Sequence, residues 1–150
     1  DVKGKRYIST PMKYYFTDCG LRNVRINFRQ YEETHIMENV IYNELRIRGF
    51  NVDVGVIPVV LKNEDSKQQR ANLEVDFVCN LGNQRYYIQS AYRMETEEKI
   101  KQERASLLKV DDSFKKIVII GEETPFIRDE NGIITMSIYD FLLKDNSLEL

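Results

Sequence analysis

Apolar and polar positions along this chain mark out most of its elements. From Glu33 to Arg48, apolar residues fall at Ile36, Met37, Val40, Ile41, Leu45 and Ile47, broadly three and four apart, the period of an amphipathic helix. Thr34 is a candidate N-cap, Gly49 closes the helix, Arg46 and Arg48 suit its dipole, and Phe50 can fold back onto it. Val52, Val54 and Val56 alternate with other residues and predict a strand over 51–57; Pro58 marks a break, with 59–61 extended beyond it. LKNEDSKQQRAN (61–72) is polar and charged and reads as a mobile loop. Residues 74–94 read as a β-hairpin turning at Gly82-Asn83. Thr96 to Val110 reads as a second helix, with Ile100, Leu107 and Leu108 as its buried stripe. Lys116–Gly121 is a continuous apolar run, expected to be a central strand buried on both faces. Asn131-Gly132 signals a turn, and 137–143 a short helix capped by Ser137. Upstream, MKYYFTD (12–18) reads as a short strand, then Asp18 caps a helical turn around Gly20–Val24. Helix, strand, hairpin, helix, strand is the order of an α/β domain with helices packed on a mixed sheet.

The hairpin is where chemistry gathers. With the turn at Gly82-Asn83, Phe77 opposes Ile88, Asp76 opposes Gln89 and Glu74 opposes Ala91. Val75, Phe77, Cys79, Tyr86 and Ile88 are then expected to form the core face, and Glu74, Asp76, Gln89 and Ala91 the other. Two carboxylates and an amide on one face suit a polar edge, or the remains of a site for a hard cation such as Mg²⁺. A lysine beside that cation would steady the charge growing on a phosphate, but Ala91 stands in its place. Lys99 or Lys101 on the next helix could supply one. Glu44 is expected to be structural, pairing with Arg48 four residues on.

Composition narrows the classes. The chain has 150 residues, the size of one domain, with a net charge of −2. Residues 1–29 hold seven bases and two acids, while the rest holds 15 bases and 22 acids. A basic segment including Lys3, Lys5 and Arg6 could meet phosphates, or another protein surface. Cys19 and Cys79 have no metal-binding spacing and suggest reduced thiols in the cytoplasm, with Cys79 a small buried hydrophobe. No apolar run reaches the length of a membrane span. The polar, basic start lacks an initiator methionine and suggests a fragment of a longer protein, with 1–12 as an N-terminal arm or linker remnant and 13–150 as the domain.

Glu38, a glycine-phenylalanine helix end, a strand, Asp76 and then Gln89-Ser90-Ala91 follow an order that resembles the PD-(D/E)xK nuclease superfamily. In that superfamily a helix glutamate, a hairpin aspartate and an acid-x-lysine strand build one metal site. Glu38 and Asp76 match the first two, Gln89 stands at the second acid, and Ala91 stands at the lysine. KYYFTDCGLRN (13–23), HIMENVIYNELRIRGF (35–50), EVDFV (74–78) and YYIQSAY (86–92) resemble, in order and spacing, the C-terminal domain of unknown function carried by bacterial and archaeal AAA-type P-loop ATPases. The resemblance implies a restriction-endonuclease-like fold, a mixed central sheet flanked by helices. It also implies that ATP binds in an N-terminal domain outside this chain, which itself has no GxxxxGK[ST] loop.

Three functions follow as expectations. The first is a non-catalytic, endonuclease-like accessory module that serves its ATPase through contacts with protein or with DNA or RNA. The second is a nuclease in which Glu38 and Asp76 hold Mg²⁺ or Mn²⁺, with Gln89 a weak third ligand, and the cation activates water. The third is a nucleic-acid-binding domain that never cuts, working through the basic segment 3–29.

Overall fold

The computed structural model describes residues 13–29, 32–62, 68–94 and 96–150. The basic arm expected over 1–12 lies outside them. The chain forms a mixed α/β fold, a six-stranded sheet flanked by helices, with strand order β1-β2-β3-β4-β6-β5. The elements run α1 (Cys19–Arg25), α2 (Glu33–Ile47), β1 (Asn51–Lys62), β2 (Gln68–Leu81), β3 (Gln84–Ala91), α3 (Glu97–Leu108), β4 (Lys115–Ile120), β5 (Ile127–Arg128), β6 (Ile134–Ser137) and α4 (Ile138–Leu143). β1, β2 and β3 form an antiparallel meander, β4 joins β3 in parallel, and β6 joins β4 in parallel.

Each face of the sheet carries its own core. Phe77, Cys79, Tyr86, Ile88, Ile117 and Ile119 pack under α2 and α4, against Met37, Ile41, Leu45 and Phe141. Val75, Ala91, Val118, Ile120 and Ile133 pack against Leu107 of α3 on the opposite face. β4 alternates between the two clusters, as a central strand buried on both faces must. Cys79 is fully buried, and burial pushes its thiol up to about 12, so it behaves as a small apolar side chain.

Several expected caps and turns are present. Asp18 Oδ1 accepts the Leu21 N–H at 2.9 Å, and Ser137 Oγ accepts the Asp140 N–H at 3.0 Å. Gly49 takes φ +88° at the end of α2, and the Phe50 N–H returns to the Leu45 carbonyl at 3.0 Å, burying Phe50 in the core. Arg48 pairs with Glu44 at 2.8 Å, as the spacing predicted. Gly82 turns the β2–β3 hairpin with φ +57°, and the ladder runs from Leu81–Gln84 to Phe77–Ile88.

Other expectations are corrected. Residues 13–18 form no strand. Their backbone is held by side chains instead: Asn39 accepts the Phe16 N–H at 2.8 Å and donates to the Phe16 carbonyl at 2.7 Å, and Asn43 donates to the same carbonyl at 2.9 Å. Glu32, not Thr34, is the N-cap of α2, without a side-chain capping bond. β1 runs straight through Pro58, which an edge strand tolerates because a missing N–H can face away from its partner. The second half of the expected loop is strand, since β2 begins at Gln68; residues 63–67 lie outside the described residues. Leu108 is exposed, and Ser106 takes a buried place on α3 beside Leu107.

Candidate functional site

The site begins with an irregularity in β2. Asp53 pairs with Val78 and Gly55 with Val75, so β2 spends three steps where β1 spends two. This bulge inserts one residue and reverses the alternation of side chains across it. Val75 and Phe77 therefore enter different cores. The β2–β3 ladder also stops at Phe77–Ile88, and Asp76 lies just beyond its end. There the Asp76 carboxylate accepts the Ser90 N–H at 2.9 Å, and its own N–H meets Gln89 Oε1 at 3.4 Å.

The expected shared face for Asp76, Gln89 and Ala91 does not form. Gln89 points to the α3 side, where its amide meets Glu103 Oε2 and Ser106 Oγ at 3.4 Å each. Ala91 is buried beside Val75 and Leu107 in the same core. Asp76 turns the other way, toward α2. The bulge is the physical reason: counting by twos across the hairpin fails where one strand holds an extra residue.

Glu38, Glu74 and Asp76 do converge, and they converge on Lys13. Its ammonium Nζ lies 3.0 Å from Glu38 Oε1 and 3.3 Å from Asp76 Oδ1, and it also contacts Glu74. Tyr15 joins them, its hydroxyl donating to Glu38 Oε1 at 2.6 Å. Both side chains come from the segment that Asn39 and Asn43 pin to α2. Tyr15 is fixed further by stacking on Tyr42 at 4.1 Å with the rings 10° from parallel. A lysine does reach the acids, but from the N-terminal segment; Lys99 pairs instead with Glu103 at 3.0 Å.

One ammonium faces three carboxylates, two of them largely buried. Burial pushes the Asp76 carboxyl up to about 6 and Glu38 adds to this, while the Ser90 N–H and Lys13 oppose it. Burial alone would lower the Lys13 ammonium, but Glu74, Asp76 and Glu38 together hold it well above the ordinary lysine range. The Tyr15 phenol is raised by burial and by its bond to Glu38. Lys13 and Tyr15 are thus fixed as donors across the physiological range.

A hard cation would need several of these oxygens at once, usually with waters. Glu38, Glu74 and Asp76 have the right chemistry, but all three are engaged by Lys13, and the other Asp76 oxygen is held by Ser90. Among the described residues, no group of three or more His, Cys, Asp or Glu is arranged to hold a metal ion. As folded, this donor set does not fit a divalent cation unless Lys13 leaves.

Sequence reasoning missed Lys13, Tyr15 and Asn39. The alternation Lys13-x-Tyr15 hints that the two share a side, but nothing in one sequence joins Lys13 to an aspartate 63 positions away. A cavity of about 230 Å³ opens beside the cluster, lined by Lys13, Tyr14, Tyr15, Arg22, His35, Glu38 and Asn39.

No protein-family description and no solved structure matches the chain. It is similar to an uncharacterized protein of Haemophilus influenzae, 32% identical over 147 residues, covering 96% of this chain and 32% of that protein. The chain therefore spans about a third of the length of the relative it matches.

Proposed function

We propose that the chain is an endonuclease-like accessory domain of a P-loop ATPase in which Lys13 holds the place a catalytic cation would take. It works through contacts with protein or nucleic acid rather than through cleavage. The observation that carries this reading is the Lys13 ammonium among Glu38, Glu74 and Asp76. Gln89 at the second acid and Ala91 at the lysine support it, because neither side chain faces Asp76 on the α2 side. The order α2-β1-β2-β3-α3-β4 agrees with the mixed sheet flanked by helices that the resemblance implies. The match covers 32% of the Haemophilus relative, which leaves room in that protein for further domains. Among the described residues, no helix is long and apolar enough to cross a membrane, which is compatible with work in the cytoplasm.

Incubation of the purified chain with single- and double-stranded DNA and RNA, with Mn²⁺ or Mg²⁺ present, tests this reading. The expected result is intact nucleic acid in every case. Cleavage that disappears in Asp76→Asn would establish the nuclease alternative.

A further inference from the structure

Residues 13–29 leave an unusual surface. α1 has seven residues and buries none of them. Tyr14, Leu21, Val24 and Phe28 are exposed by 74, 70, 56 and 66%. So short a helix has little stability alone and normally depends on burying an apolar face. The exit from α1 is strained as well: Asn27 and Phe28 both take positive φ, 52° and 54°, a costly geometry for a ring-bearing side chain that then projects into solvent. Arg22, Arg25 and Arg29 border these apolar groups, and Asp18, the one acid of the segment, is spent on the helix cap. Exposed aromatics with arginine, around an apolar centre, are the composition of a protein-binding patch.

The complementary chemistry lies on the same molecule. Tyr92, Gly121, Glu122, Glu123 and Tyr139 line an open cavity of about 760 Å³. Its wall already receives a guanidinium: Arg93 lies 3.3 Å from Glu122 and 5.6 Å from the Tyr92 ring centre. Glu33, in the first turn of α2, lies near enough to the Tyr92 phenol to raise it, while Arg22 and His35 line the cavity beside Lys13. A basic patch and an acidic patch thus both border the start of α2. Two unlike patches on one surface can satisfy each other twice across a two-fold axis.

We propose that this surface pairs with a second copy of the chain, the basic apolar face of each copy seating against the acidic, aromatic cavity of the other. The pairing does not depend on the state of the Lys13 cluster. An anionic membrane would favour a longer amphipathic helix than α1. Nucleic acid would use the arginines but leave Leu21 and Val24 without a role.

Sedimentation equilibrium over a range of protein and salt concentrations tests the pairing. The wild type should form a reversible dimer that weakens as salt screens the charges. Arg22→Glu with Arg25→Glu should weaken it by about tenfold or more, and so should Glu122→Arg with Glu123→Arg. An equimolar mixture of the two charge-reversed proteins should dimerise again. Phe28→Ser, which changes no charge, should also weaken the wild-type dimer, with circular dichroism confirming that each variant is folded. A wild type that stays monomeric at every concentration overturns the proposal. So does a dimer indifferent to both reversals, or a mixture that stays apart while salt-sensitive binding to an oligonucleotide is lost in the arginine variant.

Discussion

Asp76 and Lys13 show how burial and pairing compete over one charge. Burial disfavours the Asp76 carboxylate more than Lys13 and the Ser90 N–H favour it, so its pKa rises from 3.8 to about 6. A carboxylate raised on folding binds its proton more tightly in the native state. Its contribution to stability is therefore present at low pH and falls as pH rises from about 4 to about 6. A ¹³C titration of the Asp76 carboxyl should show a midpoint near 6, and Lys13→Ala should move it higher still; a midpoint near 4 would mean that the carboxylate is well solvated. Asn39 is buried, and its amide makes both hydrogen bonds to Phe16. Asn39→Ala should cost about 2 kcal/mol in urea unfolding and shift the amide resonances of residues 13–17. Unchanged resonances there would show that Asn43, the Lys13 and Tyr15 bonds to Glu38 and the Tyr15–Tyr42 stack hold the segment without Asn39. Periodicity located the helix and the hairpin, but Glu38 and Asp76 were legible as a pair only through the resemblance to the PD-(D/E)xK order. Lys13 was not, because its segment follows no repeating pattern and takes its hydrogen bonds from side chains of α2.

Helices, turns and the central strand follow closely from the sequence, because period, caps and glycine placement are local properties. The hairpin illustrates the limit. Its turn and the register from Phe77 to Leu81 came from Gly82-Asn83 alone, but one extra residue in β2 sends Val75 and Asp76 to the wrong faces of any count by twos. Pro58 misleads in the opposite direction, since its meaning depends on whether the strand lies at an edge. Tertiary clamps are invisible for the same reason. Arg48 closes α2 by bonding Glu44, reaches Ser147 Oγ at 2.9 Å and the Phe141 carbonyl, and lies 4.6 Å over the Phe141 ring. Only Glu44 was within reach of spacing arguments. Arg48→Lys keeps the charge but loses the planar fork, and should lower stability by about 1–2 kcal/mol in thermal or urea unfolding. Full stability in that variant would show that Phe141 packing suffices to hold α4.

At the scale of the whole molecule, Glu38, Glu74 and Asp76 gather where β2 parts from β3 beneath α2. β2 bends away from β3 at Asp76, α2 brings Glu38 over the gap, and residues 13–17 lay Lys13 across it. The same α2 that anchors this segment also borders the acidic cavity proposed to receive a second copy. If Lys13 stands in for a cation, then removing it should leave Glu38, Glu74 and Asp76 facing one another without a counter-charge. Calorimetric titration with Mn²⁺, wild type beside Lys13→Ala and Lys13→Ala/Asp76→Asn, tests this account. We expect no saturable binding by the wild type, binding by Lys13→Ala, and its loss again in the double variant. Saturable Mn²⁺ binding by the wild type, as tight as in Lys13→Ala, would contradict it and return the cluster to the metal-dependent nucleases.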